Sequence, residues 1–177
     1  VCFPIVVSGL PPQIDASFGL VSICLDITHT YVGDLRITLK APDNTTIVLA
    51  NHVGGGGDNF TSTCMAENGP DGYLISGTAP FTGNYIPEES LNLMNNGMIP
   101  NGTWELCIID EVPADIGTLN FATITFANNP PPDPTLPPNI CSITNALGCE
   151  CPDTSVTVCD LLPDMTASAL IIQNQHT

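Results

Sequence analysis

Val21-Ser-Ile-Cys-Leu-Asp-Ile27 alternates apolar and polar side chains at every second position, and Leu35-Arg-Ile-Thr-Leu39 repeats the pattern a short turn later. A period of two puts successive side chains on opposite faces of an extended strand, so each run buries one face and wets the other. Outward from this pair, Thr46-Ile-Val-Leu-Ala50, Trp104-Glu-Leu-Cys-Ile108 and the stretch from Leu119 to Phe126 read as strands too. Turn chemistry separates them: Pro42-Asp43-Asn44, Gly54 to Gly57, Asn96-Gly97 and Asn101-Gly102. No stretch sustains a period of 3.6 residues. Short strands divided by turn signals predict an all-β fold, a jelly-roll β-sandwich.

Charge narrows the function. Arg36 and Lys40 are the only basic residues against 18 acidic ones, a formal charge of −16 over 177 residues. Such a chain cannot neutralise a phosphate backbone, which excludes nucleic acid as a direct partner. Anionic membrane surfaces repel it for the same reason, and its apolar runs are too short for membrane insertion. Divalent cations and other proteins remain. With 43% hydrophobic residues, the chain can build a core.

The cysteines are Cys2, Cys24, Cys64, Cys107, Cys141, Cys149, Cys151 and Cys159. An even, dense set beside scarce lysine and plentiful Thr, Asn, Gly and Pro predicts an exported protein, extracellular or at the cell surface, with its cysteines in disulfides. Composition divides the chain into a sandwich over 1–127, a Pro-rich linker over 128–140 that reads NNPPPDPTLPPN up to Asn139, and a Cys-rich tail over 141–177 ending on the strand-like run Ala167–Gln173. In the tail, the C-x-C of Cys149 and Cys151 departs from the C-x₂-C knuckle usual for zinc, and a module this small needs staples, so two disulfides are favoured there. Among the first four cysteines, Cys24 and Cys107 both fall on strands, on the face opposite the core residues. They are expected to pair, leaving Cys2 with Cys64. The terminal apolar run allows three placements: folded back on the sandwich, continued in a longer protein, or added to the sheet of a neighbouring copy.

His29-Thr-Tyr-Val-Gly-Asp-Leu35 resembles the HTYVGDL signature of the proprotein-convertase P domain, and the resemblance continues in order. Ala41-Pro42-Asp43 with Thr46-Ile-Val-Leu49, the run from Gly54 to Phe60, Ala79-Pro-Phe-Thr-Gly83 with Tyr85 and Pro87, and Gly102-Thr-Trp-Glu-Leu106 with Asp110, Asp115 and Gly117 are each similar to a family segment. Together they cover about residues 10–127. The chain departs from the pattern at Thr63-Cys-Met-Ala-Glu67, where Ala66 removes an acid usual in the family, at Ile116, and at Leu93-Met-Asn-Asn-Gly97. The resemblance implies a jelly roll that usually sits beside a subtilisin-like protease domain.

Chemistry on this chain points to a cation. Calcium takes oxygens from carboxylates and carbonyls on loops, and Asp26, Asp34, Asp58, Asp110 and Asp115 lie in or beside the family motifs. Asp34 follows Gly33, Asp58 ends the glycine run, and Asp110 and Asp115 bracket one turn. The competing expectation is that Asp34 and Asp115 accept backbone amides in tight turns. Clustered carboxylates with so few bases favour a cation. Catalysis is not expected. No Gly-x-Ser-x-Gly elbow is present, and His29 sits in a structural motif. The leading expectation is therefore a non-catalytic, Ca²⁺-binding extracellular module acting through a protein partner, with neighbouring copies of itself as one such partner. It would serve as a structural or cell-adhesion subunit, assembled as a filament through its tail. The alternative is the auxiliary P domain of a secreted subtilisin-like serine protease.

Overall fold

The computed structural model describes residues 1–113 and 115–134. The tail cysteines Cys141, Cys149, Cys151 and Cys159, and the run 167–173, lie outside the described residues. Val1–Asp133 forms one compact unit. It contains eight strands: β1 (Cys2–Val7), β2 (Phe18–His29), β3 (Leu35–Lys40), β4 (Thr46–Asn51), β5 (Phe60–Met65), β6 (Phe81–Tyr85), β7 (Gly102–Asp110) and β8 (Gly117–Asn128). They make two four-stranded sheets, ordered β1-β7-β3-β4 and β6-β5-β2-β8. All pairings are antiparallel except β5 with β6, which is parallel. The all-β sandwich expected from the alternating runs is what forms.

The alternation explains why these segments pack as they do. In β2, Ile23, Leu25 and Ile27 are buried, while Ser22, Cys24 and Asp26 between them are partly exposed. In β3, Leu35, Ile37 and Leu39 face inward, and Arg36 faces out. These inner faces meet Trp104 and Leu106 of β7, Ile47 and Leu49 of β4, and Phe60 and Met65 of β5 in one continuous core. Trp104 is fully buried, donates its indole N–H to the carbonyl of Pro100 at 2.9 Å, and meets Phe126 of β8 edge-on at 5.6 Å between ring centroids. Phe60 and Phe81 stack at 4.9 Å across the parallel pair. Trp104, Phe60 and Phe81 are fully buried and remove their hydrocarbon surface from water, at roughly 25 cal/mol per Å².

The disulfide expectation needs correcting. The bonds are Cys2–Cys107 and Cys24–Cys64, not Cys24–Cys107 and Cys2–Cys64. Cys2 is the register partner of Cys107 in β1 and β7, and Cys24 is that of Cys64 in β2 and β5. Cys24 and Cys107 do share the property that suggested their pairing, since each points away from the core. They do so from different sheets, so their side chains leave opposite outer faces of the sandwich. Each can reach only a same-face neighbour on an adjoining strand. Both bonds therefore staple strands within one sheet.

Candidate functional site

The corner where β2 runs into β3 gathers most of the residues singled out from sequence. His29 ends β2 and is 2% exposed. Its Nδ1 accepts the amide N–H of Tyr31 at 3.1 Å, which leaves the proton on Nε2, 3.3 Å from Oδ2 of Asp110. Both ring nitrogens are thus committed within the protein. A 3-10 turn, Val32–Asp34, follows. Its amides at Val32 and Gly33 donate to the carbonyls of Gly57 and Gly55 at 2.9 Å each. A Cβ on Gly33 would meet the Gly55 carbonyl oxygen at 2.7 Å, so a side chain there would push the two loops apart. The glycine run therefore serves as a backbone cradle for this turn.

His52 caps the same corner from β4. Nδ1 donates to the Gly33 carbonyl at 2.8 Å, and Nε2 donates to Oε2 of Glu111 at 3.0 Å. Two acceptors facing two nitrogens favour the imidazolium. The bond to the Gly33 carbonyl is the main reason the ring's pKa is raised above its ordinary value, with Glu111 adding to it. Phe3, Leu35, Ile108, Ile116 and Leu119 line an open groove beside His29 and Asp110.

Of the five aspartates named from sequence, Asp110 and Asp115 line the groove beside His29 together, and Asp26, Asp34 and Asp58 do not line it. Asp34 is buried in the 3-10 turn, and Asp58 is exposed on the glycine loop. Asp110 accepts from His29 and from the Val112 amide, and Asp115 accepts the Thr30 hydroxyl at 2.6 Å rather than a backbone amide. Asp26 stands elsewhere, on the outer face of β2. Its two oxygens accept from the Asn120 amide at 2.7 Å and the Ser62 backbone N–H at 2.9 Å. Among the described residues, no three His, Cys, Asp or Glu side chains are grouped closely enough to hold a metal ion.

The bonds to Asp26 favour its charged form. Its pKa lies below the usual carboxylate value, chiefly through Asn120 and then Ser62. Because the folded value is depressed, this stabilisation is present above the unfolded pKa and is lost as pH falls through the folded one. Carboxyl-carbon NMR of Asp26 should show a midpoint below that of an unstructured aspartate. Asn120→Ala should move the midpoint upward; an unmoved midpoint would refute the assignment.

One acid that sequence reading passed over stands out. Glu67 follows β5 and is 3% exposed. Its Oε1 accepts the Ser90 hydroxyl at 2.8 Å and the Asn92 amide at 3.2 Å. Its Oε2 is buried with no hydrogen-bond partner. Burial pushes the Glu67 pKa up against the pull of the Ser90, Asn92 and Leu91 bonds, and the nearby negative charge of Asp133 pushes the same way as burial. The Asn92 side-chain amide also donates to the Pro131 carbonyl at 2.8 Å, which holds the segment leaving β8 against this spot. No local pattern marked Glu67. Its partners lie 23 and 25 residues on, and Asp133 is in the proline run.

The proprotein convertase P-domain model matches residues 19–126. Leupeptin-inactivating enzyme 1 of Streptomyces exfoliatus is 32% identical over 123 residues, covering 70% of this chain and 21% of that protein. A calcium-dependent protease of Trichormus variabilis is 29% identical over 107 residues, covering 59% of this chain and 13% of that protein. The crystal structure of the serine protease of Aeromonas sobria aligns over 73% of this chain and 24% of that one, at 17% identity and a TM-score of 0.30. The chain thus spans about a fifth or less of the curated relatives' length. These relatives overturn the expectation of a filament-forming structural or adhesion subunit. The matching segment is a minor part of much longer proteins, one named as an enzyme and the other as a protease.

Proposed function

The chain belongs to the proprotein convertase P-domain family, and from that premise we propose that it is the non-catalytic accessory domain of a secreted, subtilisin-like serine protease. The observation that carries this is the ordered match over residues 19–126 to a domain that occupies a minor share of protease-sized relatives. Supporting it, both nitrogens of buried His29 are bonded inside the protein, to the Tyr31 amide and the Asp110 carboxylate, as in a structural role. The two disulfides suit an oxidising, extracellular compartment. Among the described residues, no helix is long and apolar enough to cross a membrane. In this reading the partner is the protease's catalytic domain, and calcium is the cation, as the name of the Trichormus variabilis relative says of that protein.

The native polypeptide decides the matter. An antibody raised against the sandwich should capture a protein much longer than 177 residues. That protein should hydrolyse casein and carry a fluorophosphonate label on a serine outside residues 1–177. Recovery of a 177-residue protein with no companion protease, or a label inside the sandwich, would overturn the proposal.

A further inference from the structure

We infer that β8 is a docking edge for a second copy of this chain, pairing antiparallel with the partner's β8 across a twofold axis. The inference stands apart from the protease reading. It rests on how the edges of the two sheets are finished.

An edge strand presents a row of unpaired N–H and C=O groups, and proteins block such rows against pairing with other chains. The edge strands here are β1, β4, β6 and β8. β1 carries Pro4, which has no N–H to offer. β4 is closed by two glutamates. The amides of Val48 and Asn51 donate to the Glu89 and Glu88 carboxylates at 2.6 and 2.7 Å, and the amides of Glu88 and Glu89 donate to the carbonyls of Leu49 and Val48 at 3.2 and 3.0 Å. β6 is closed by Asp71, whose amide donates to the Asn84 carbonyl at 3.0 Å and whose carboxylate accepts the Asn84 amide at 2.7 Å. β8 carries no such device. Among the described residues its backbone ladder is with β2 alone. It runs for 12 residues, Gly-Thr-Leu-Asn-Phe-Ala-Thr-Ile-Thr-Phe-Ala-Asn, with neither a proline nor a charged side chain.

The core is also short of cover on this side. Leu119, Ile124 and Phe126 are the register partners of Ile27, Ile23 and Leu20 on β2. Those β2 residues are 2% exposed or less, whereas the three β8 residues are only partly buried. A further strand beside β8 would shield them from water. That strand must be uncharged and alternating, because β8 gives a charged partner nothing to pair with. The β8 of a second copy fits this description. The chain's formal charge is −16, yet no acid lies in this strand, so two copies meet no like charge along the seam. With Thr123 on the axis, Thr125 faces the partner's Phe121 and Ile124 faces the partner's Ala122. Outer-face residues then oppose outer-face ones and inner oppose inner, as the register with β2 assigns them. Such a pair is closed by its symmetry and adds no further subunits.

The test uses the full 177-residue chain. Size exclusion with light scattering should show a monomer–dimer equilibrium with a Kd of about 1–100 µM. Raising NaCl from about 0.05 to about 0.5 M should tighten it, because salt screens the repulsion between two acidic bodies. Thr123→Lys should weaken association about tenfold or more, since two like charges then face each other across the axis. Thr125→Lys should act in the same direction. Val6→Lys makes the same charge change at an exposed position of β1 and should leave association unaltered. The near-ultraviolet circular dichroism of Trp104 should be native in all three variants. Amide exchange across residues 118–127 should slow as the protein concentration passes Kd. A chain that stays monomeric at about 1 mM would overturn the inference. So would a dimer that both β8 variants leave intact, or one that salt dissociates. None of these outcomes bears on whether the native polypeptide carries a protease, so the two proposals fail separately.

Discussion

Trp104→Ala will lower the unfolding free energy of the sandwich by about 3–5 kcal/mol, the range for deleting a fully buried large aromatic. The side chain lies at the centre of the core, on the strand that joins β1 to β3, and it touches the opposite sheet through Phe126. Truncation opens a cavity between the sheets, and rigid strands on both sides prevent its collapse. It also leaves the Pro100 carbonyl without its indole donor. A domain of this size has about 5–15 kcal/mol in total, so the variant should be largely unfolded at modest urea. Trp104→Phe should recover much of the packing without the hydrogen bond. Urea titration followed by circular dichroism measures both. A loss under 1 kcal/mol for the alanine variant would show that Trp104 does not occupy the core.

Removing Cys2–Cys107 will cost about as much, by a different route. The bond closes a loop with a sequence separation of 105, and Cys24–Cys64 closes one of 40. Chain-entropy estimates give about 5 and about 4 kcal/mol for loops of these lengths, through restriction of the unfolded chain. The double variants Cys2→Ala/Cys107→Ala and Cys24→Ala/Cys64→Ala should therefore both be severely destabilised, the first slightly more. Neither should change the fold, because each bond joins strands that are already hydrogen-bonded neighbours. Non-reducing peptide mapping should recover 2 with 107 and 24 with 64. Recovery of Cys24 with Cys107 would disprove the arrangement.

That pairing shows where sequence reading stopped. Alternation at 21–27, 35–39, 46–50, 104–108 and 119–126 located β2, β3, β4, β7 and β8, because those strands each bury one face and the pattern is a direct record of that burial. β1 escaped notice: Cys-Phe-Pro-Ile-Val-Val is apolar on both faces and contains a proline, which an edge strand tolerates. β5 and β6 were hidden by Thr-Ser-Thr and by Gly83, whose neighbours read as loop. The orientation of Cys24 and Cys107 was legible, but which sheet each belonged to was not, since that depends on pairing across the whole chain. The candidate site fared similarly. His29 and the glycine run were marked by motif. Glu67 was not, because its significance lies in a missing partner, and only three-dimensional burial reveals that.

The strand order carries a consequence for how the protein comes into being. β1 pairs with β7, and β2 with β8, so the first two strands of the sandwich hydrogen-bond to its last two, Cys2 opposite Cys107 and Phe18 opposite Asn128. Contacts this distant in sequence demand loop closure before they give anything back, which makes folding slow. A nascent chain emerging from a translocation pore cannot complete the β1-β7-β3-β4 sheet until Asp110 is through, nor the β6-β5-β2-β8 sheet until Asn128 is. Until then β2 lacks its longest neighbour, and the cysteines at 2 and 24 are open to oxidation with whichever thiol arrives first. The thiols that reach Cys2 early are the wrong ones, since Cys24 and Cys64 both emerge ahead of Cys107. Export of this domain should therefore depend on a disulfide isomerase, with the correct bonds locked in only after the last strand has docked.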